Sequence, residues 1–318
     1  MLADTAIRAR LADPDPTVRR IAVMSLMESD EDDLEPLLVH ALADTDAEVR
    51  AEAAKLLDGY ESYETVAALV ALLDDASPAV REAAAETLAE LKEAESGDAL
   101  LAALPTAASD FMTVALLRGL RPLKRPEAFG PALMALDSTN PELRCAAIGV
   151  LGYLKDAAAL PRLAQTLAND ADPEARRIAA GALGYADDAA PVAAALQSAL
   201  IDAHWQVREE AATTLGKLKL RATAPALVAL LADPYWQVRL KAARSLGRMK
   251  HTPALPALQE ALTHPIGNLR KEAAIALGEL GDAQAIPALE AALADPDPDV
   301  RKLARLALNQ ISQSRSAP

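Results

Sequence analysis

The sequence predicts an all-α, right-handed solenoid of about ten two-helix repeats, because three features return with a fixed period. An arginine recurs every 31 or 32 residues, an alanine follows three positions later, and a leucine follows seven positions later in nine of ten repeats. A period of this size indicates stacked helical units, each too small to bury its apolar face alone. The arginines are Arg19, Arg50, Arg81, Arg144, Arg176, Arg208, Arg239, Arg270 and Arg301, with Met112 at the one position that lacks an arginine.

Each repeat reads as two helices with a break between them, as residues 222–250 illustrate. Pro225 lies in the first turn of the first helix, where a missing backbone N–H costs little. Asp233 and Pro234 interrupt the helical pattern. The second helix is expected over about 235–249, where apolar residues recur at three- and four-residue steps and form a buried stripe.

An aspartate stands six residues before most of the periodic arginines. We expect it to cap the second helix and to face the arginine of an adjacent repeat, so that the arginines form a structural ladder and no binding site. Three repeats depart from this pattern, with Thr106, Ser138 and His264. The aspartates are Asp13, Asp44, Asp75, Asp170, Asp202, Asp233 and Asp295.

The charge is distributed unevenly along the chain. Residues 1–110 hold 25 acidic against 8 basic side chains, a net charge of −17, whereas residues 111–318 hold 21 against 24, a net charge of +3. The fourth repeat is degenerate, with Met112 for arginine and Gly119 for leucine, and it is expected to form a softer joint. The predicted organisation is one solenoid over 1–318, with an acidic arm at about 1–94, a degenerate repeat and connector at about 95–126, a C-terminal arm at about 127–312 and a disordered tail at 313–318.

Several properties favour a cytoplasmic protein. Cys145 is the only cysteine, so no internal disulfide can form. The first ten residues lack an apolar signal-peptide core, and no apolar run has the length of a membrane span.

The pattern Asp-Pro-x-x-x-Val-Arg-x-x-Ala-Ala-x-x-Leu-Gly, found at 233–247, resembles the short HEAT repeat. More narrowly, it is similar to the HEAT-like repeats of phycobilisome-lyase-type proteins. The resemblance covers roughly residues 3–312. It implies that the second helices line the concave surface, and it is specific for fold rather than for function.

No catalytic, cofactor or metal site is predicted. The sequence has no glycine-rich phosphate-binding motif, no Gly-x-Ser-x-Gly and no Cys-x-x-Cys. Its four histidines fall in different repeats. Some HEAT-like proteins are iron-dependent hydroxylases with His-Glu pairs, and this chain has no His-Glu dipeptide.

The first candidate partner site is a groove on the exposed face of the second helices. Two glycines stand one repeat apart, each four residues before a tyrosine, which predicts a bare groove floor between aromatic anchors. The structural alternative is that the glycines only relieve crowding and the tyrosines only cover the helix ends. The predicted groove residues are Cys145, Gly149, Tyr153, Arg177, Gly181 and Tyr185, with Arg244 and Arg248 extending the surface.

The second candidate is a basic, aromatic edge. From Arg208 to Lys250 there are nine basic and three acidic residues, and the only two tryptophans hold equivalent loop positions in consecutive repeats. This combination suits single-stranded nucleic acid or a phosphorylated ligand, and equally an acidic protein or the acidic arm of a second copy. The structural alternative is that tryptophan in such a loop packs against its neighbour. The edge residues are His204, Trp205, Lys217, Tyr235, Trp236 and Lys241.

We therefore predict a non-catalytic scaffold, chaperone-like factor or assembly factor that binds a protein partner on its concave face. One alternative, implied by the resemblance, is a subunit of a bilin lyase-like enzyme. Another is a nucleic-acid-binding protein similar in form to the HEAT-like alkylpurine glycosylases, and the acidic net charge of −14 opposes it.

Overall fold

The computed structural model describes residues 2–28, 33–187 and 190–316. These residues form twenty α-helices joined by short loops and 3₁₀ turns, and they contain no β-strand. The helices alternate as first and second members of ten pairs, which confirms the predicted all-α solenoid. None of the helices in the described ranges is long and apolar enough to cross a membrane.

The chain divides into two compact units, residues 1–154 and 155–318. This boundary does not coincide with the degenerate repeat at 95–126. The helices of the first unit are α1 Leu2–Leu11, α2 Pro16–Ser25, α3 Glu35–Ala41, α4 Ala47–Leu56, α5 Tyr63–Ala71, α6 Pro78–Ala89, α7 Gly97–Ala103, α8 Asp110–Leu123, α9 Phe129–Ala135 and α10 Pro141–Leu154.

The second unit contains the other five helix pairs. Its helices are α11 Leu160–Asn169, α12 Pro173–Ala182, α13 Ala190–Ala199, α14 Trp205–Leu218, α15 Ala224–Ala229, α16 Trp236–Met249, α17 Leu255–Ala261, α18 Gly267–Leu280, α19 Ile286–Ala291 and α20 Pro298–Ser316. Because α20 runs to Ser316, most of the segment expected to be a disordered tail is helical. Residues 317 and 318 lie outside the described ranges.

The periodic leucines and alanines form the core of each unit. Leu26, Leu57 and Leu88 are fully buried in the first unit, and Leu215 and Leu246 are fully buried in the second. Burying a leucine side chain stabilises the folded chain by roughly 1.5–3 kcal/mol. The repeat period therefore marks the side chains that hold neighbouring helix pairs together.

The arginine ladder is present in both units. In five rungs the arginine Nε lies 2.7 Å from an aspartate Oδ2 of the next repeat, and Nη2 binds Oδ1 of the same carboxylate. In each of these rungs Nη1 also donates to two backbone carbonyls of its own loop. The rungs are Arg19–Asp44, Arg50–Asp75, Arg176–Asp202, Arg208–Asp233 and Arg270–Asp295.

The expectation that the ladder aspartate caps the second helix is wrong. Asp44 accepts a hydrogen bond from the backbone N–H of Asp46, and Asp46 itself caps α4 by accepting from Glu48 and Val49. The cap residue thus lies two positions after the ladder aspartate. Because Asp44 binds Arg19 and orients the cap residue, one side chain joins two repeats and fixes where the second helix begins.

The fourth repeat has a different register from the one assigned on sequence. Ser109 caps α8 through the backbone N–H of Met112, and second helices elsewhere place their arginine four residues after the cap. Thr113, not Met112, therefore replaces the arginine. Leu120 then holds the leucine position and is buried. Gly119 lies one residue earlier, where an added Cβ would be 2.8 Å from a backbone oxygen of α6.

Candidate functional site

Within the second unit, successive second helices approach each other at backbone distance. A Cβ added to Gly247 would lie 2.7 Å from Ala276 Cα, and one added to Gly278 would lie 2.9 Å from Ala307 Cα. At the preceding joint the Ser245 hydroxyl donates to a backbone oxygen of α14 at 2.7 Å. Only small side chains fit between these helices.

Successive first helices of this unit are separated by open grooves. Cavity volumes of about 750, 280 and 400 Å³ lie between α13 and α15, between α15 and α17, and between α17 and α19. Since the second helices touch closely and the first helices stand apart, the second helices lie on the inner side of the curve of this unit. Their exposed face is the candidate partner site.

Ion pairs join neighbouring second helices on this inner face. Arg244 donates to both carboxylate oxygens of Glu272 at 2.9 and 2.6 Å, and the Glu272 side chain is only 5% exposed. Lys241 Nζ lies 3.8 Å from Glu209. The hydrogen bonds that Arg244 donates to Glu272 raise the pKa of the arginine. Arg244 is therefore a paired cation, which the sequence did not predict.

Two carboxyl groups on this face lie against glycines of the preceding repeat. Glu210 Oε1 would be 2.9 Å from a Cβ on Gly181, and Glu279 Oε2 would be 2.8 Å from a Cβ on Gly247. Burial raises the pKa of both Glu210 and Glu279. The Oε2 atom of Glu279 is buried and has no hydrogen-bond partner among the described residues, whereas Arg248 on the same face is exposed.

The groove residues predicted in the second unit are largely engaged. Arg177 forms an ion pair with Glu174, and the Glu210 side chain lies directly over Gly181. The Tyr185 hydroxyl donates to a backbone oxygen of residue 156 at 2.9 Å, and burial raises the pKa of this phenol to about 12. The predicted bare floor at Gly181 is therefore covered by a carboxylate side chain.

At the groove residues predicted in the first unit, the glycine is also covered by a side chain, here a basic one. Arg121 Cδ would be 3.2 Å from a Cβ on Gly149, and the Arg121 guanidinium lies 5.4 Å from the centre of the Tyr153 ring. Tyr153 is 47% exposed, and Cys145 is half-buried. Arg121 thus covers Gly149 and pairs with the predicted aromatic anchor.

The structure brings together part of the predicted basic, aromatic edge. The Trp205 and Tyr235 rings stack with centroids 5.4 Å apart, and the Arg208 guanidinium lies 5.8 Å from the Tyr235 ring. Trp236 is half-buried at the start of α16. His204 Nδ1 lies 3.2 Å from Nη2 of the ladder Arg176.

The two lysines of that edge lie apart from the aromatic stack. Lys217 is in the last turn of α14, about 18 Å along the helix from Trp205 at a rise of ~1.5 Å per residue. Lys241 is engaged with Glu209 on the inner face. The aromatic rings and the lysines therefore do not form one continuous strip.

These features define an α-solenoid protein whose second unit has a closely packed inner face with ion pairs between neighbouring helices. Family comparison identifies HEAT repeats at residues 5–61, 34–121, 130–200, 160–236 and 224–309. The chain therefore belongs to the HEAT-repeat family. The match does not distinguish the narrower phycobilisome-lyase type. No curated protein is significantly similar in sequence to this chain.

Several solved structures share the fold. An engineered protein is 23% identical, with 98% of this chain and 99% of that chain covered and a TM-score of 0.55. The Escherichia coli protein YibA is 20% identical, with 92% and 95% covered and a TM-score of 0.57. Kap95p, solved with RanGDP, is 16% identical with a TM-score of 0.65, and the match covers 96% of this chain and 49% of Kap95p. The chain thus spans less than half of the Kap95p chain.

Proposed function

We propose that this protein is a non-catalytic scaffold that binds a protein partner on the inner face of its second helices. The observation that carries the proposal is the construction of this face in the second unit. Its helices touch at backbone distance, so they form a continuous surface, and its charges are paired across helices, as in Arg244–Glu272. A surface held in place in this way is preorganised for an extended partner.

Similar solenoids support the same function. One of them, the karyopherin Kap121p, has been solved bound to the extreme C-terminus of the protein phosphatase Cdc14p, and Kap95p has been solved bound to RanGDP. In this chain the exposed Arg248 and the partly exposed Arg244 would contact the partner. Arg121 over Gly149 and Glu210 over Gly181 are flexible covers that a partner would displace.

The test compares three glycine-to-arginine variants of the full chain. Gly149→Arg and Gly181→Arg place a long side chain on the second helices, where each meets only the flexible side chain of Arg121 or Glu210. Gly130→Arg is the matched control, because Gly130 lies on a first helix and no atom of a described residue is within 4 Å of an added Cβ. Circular dichroism establishes that each variant remains folded.

Proteins that the wild type retains from its native lysate are identified by mass spectrometry. The affinity of the purified partner for the wild type and for each variant is then measured by calorimetry. We expect the partner affinity to fall at least about tenfold in Gly149→Arg or Gly181→Arg and to persist in Gly130→Arg, since one lost anchor contributes roughly 1–2 kcal/mol. Equal affinity in all three variants contradicts the proposal.

The material that the wild type retains from the lysate also tests the two alternative functions, a bilin lyase-like enzyme and a nucleic-acid-binding protein. A bound coloured bilin would support a lyase-like function. Nucleic acid retained at ~0.15 M salt, and lost when Trp205 and Trp236 are changed to alanine, would support the nucleic-acid function. The stacking of Trp205 on Tyr235 weakens the latter, because this pair already uses aromatic surface that bases would need.

A further inference from the structure

One rung of the arginine ladder has a histidine in place of the carboxylate. His264 occupies the aspartate position that receives Arg239 of the preceding repeat, and Arg239 Nη1 lies 3.2 Å from His264 Nε2. The backbone N–H of Ile266 donates to His264 Nδ1 at 3.1 Å. Both ring nitrogens therefore face an N–H donor.

Histidine cannot satisfy both of these donors. A neutral imidazole has one acceptor nitrogen, and a protonated imidazole has none. In the neighbouring rung, by contrast, the Asp233 carboxylate accepts from Arg208 Nε and Nη2 and from the backbone N–H of Tyr235. The His264 rung consequently lacks an acceptor that the complete rungs possess.

The arginine of this rung is also oriented differently. Arg239 directs Nε to the backbone oxygen of Asp233, although the complete rungs use Nε for the carboxylate. Its Nη2 makes no hydrogen bond to a described residue. A partly buried guanidinium with an unused N–H group is a site for an anion.

A cavity of about 280 Å³ opens beside this rung between α15 and α17, and both Arg239 and His264 line it. The remaining wall is mainly aliphatic, with one acidic side chain, Glu260, which is exposed. Arg270 donates to the His264 backbone oxygen and binds Asp295, so its charge is already paired. The aliphatic lining residues are Val228, Leu231, Ala232, Ala257, Ala261 and Leu269.

We propose that this cavity binds a small aliphatic carboxylate, whose oxygens take the place of the missing aspartate. The carboxylate accepts from Arg239 Nη2 and Nη1, and the hydrocarbon chain lies against Val228, Leu231 and Leu269. A cavity of about 150 Å³ holds a benzene molecule, so the volume here suffices for a chain of about five carbons. The aliphatic wall favours a carboxylic acid over inorganic phosphate.

The test uses the uniformly ¹⁵N-labelled full chain and sodium pentanoate as the probe. The protein has only four histidines, so imidazole ¹H–¹⁵N spectra resolve His264. We expect saturable shifts of the His264 ring with pentanoate, and at least about tenfold weaker binding of the neutral isostere pentanamide. Equal shifts with both compounds, or no saturation by about 50 mM pentanoate, overturn the proposal.

Two variants provide independent controls. His264→Asp restores an internal carboxylate, so it is expected to abolish pentanoate binding while raising the thermal midpoint. Ala257→Leu fills the cavity and leaves the rung intact, and it is also expected to abolish binding. Pentanoate binding to both variants is measured by ligand-detected NMR. Undiminished binding to either folded variant contradicts the proposed site.

A final comparison identifies the source of the carboxylate. A tripeptide that ends in valine is titrated with its C-terminus free and with it amidated. If the peptide with the free C-terminus binds and the amidated peptide does not, the site is assigned to a protein C-terminus. Binding of pentanoate without either peptide assigns the site to a free carboxylic acid.

Discussion

Replacement of Asp233 by alanine tests whether the arginine ladder holds the second unit together. The Asp233 side chain is 5% exposed and the Arg208 side chain is 11% exposed, so the change leaves a nearly buried cation without its carboxylate. It also removes the acceptor of the Tyr235 backbone N–H at 2.9 Å. Breaking a buried ion pair on one side costs about 3–5 kcal/mol.

The expected loss lies at the lower end of this range, at about 3 kcal/mol, because Arg208 keeps two other acceptors. Its Nη1 still donates to the backbone oxygens of residues 202 and 203 at 2.8 and 3.3 Å. Asp299→Ala is the matched control. Asp299 pairs with Lys271 at 3.0 Å but is 67% exposed, and exposed pairs contribute no more than about 1 kcal/mol.

The assay is equilibrium unfolding in urea, followed by tryptophan fluorescence and by far-ultraviolet circular dichroism. The only two tryptophans, Trp205 and Trp236, stand in the two repeats that the Arg208–Asp233 rung joins. If the two probes report the same transition, a single free energy of unfolding is justified. If the fluorescence transition separates from the circular dichroism transition, the loss of stability is located in these two repeats. The reasoning is refuted if Asp233→Ala costs less than about 1 kcal/mol or no more than Asp299→Ala.

Three other predictions follow from contacts in the two units. Gly247→Ala should lower the free energy of unfolding by about 1–3 kcal/mol in urea titrations, because its Cβ would meet Ala276 at 2.7 Å, whereas Gly130→Ala should be neutral or slightly stabilising. Hydrogen bonds from arginine hold the pKa of Asp44 and Asp295 below the usual 3.8. The stability that these two ionised carboxylates add is complete above about pH 4 and is lost as the pH falls through their lowered pKa values. Acid titration followed by circular dichroism measures this loss. Burial raises the pKa of Tyr185 to about 12, so Tyr185→Phe should remove an ionisation near that pH in a spectrophotometric titration.

The sequence predicted the solenoid and its ladder because both depend on interactions that repeat. In five rungs the arginine meets a carboxylate of the next repeat in the same geometry, so a periodic pattern is sufficient to predict a periodic contact. Arg50–Asp75 and Arg270–Asp295 have the same 2.7 Å distance although they belong to different units. The cap position was wrong because the N-cap of the second helix lies two residues after the ladder aspartate, where residues such as Asp46 and Asp172 cap it with their own side chains.

The register of the fourth repeat could not be determined from spacing alone. Arg81 and Arg144 are separated by 63 residues, which divides equally well at Met112 or at Thr113. The hydroxyl of Ser109 decides between them, because it caps α8 and so fixes the position of every later side chain. An individual cap, rather than the period, sets the start of this helix.

The partner groove was predicted less well, since its floor depends on side chains from neighbouring repeats. Gly149 and Gly181 mark close approaches, but nothing in their own repeat indicates that Arg121 and Glu210 reach over them. The sequence showed the His264 rung only as an exception to the aspartate pattern. The adjoining cavity is lined by residues of two repeats, so spacing along the chain does not reveal it.

Apart from the Arg239–His264 joint, the joints between repeats of the second unit carry chemically identical rungs and are interchangeable. Arg176–Asp202, Arg208–Asp233 and Arg270–Asp295 present the same donor and acceptor groups at each junction. Removal or duplication of one whole repeat would bring together an arginine and an aspartate that already suit each other. At these joints the second unit could change its length in steps of 31 or 32 residues without a new kind of contact.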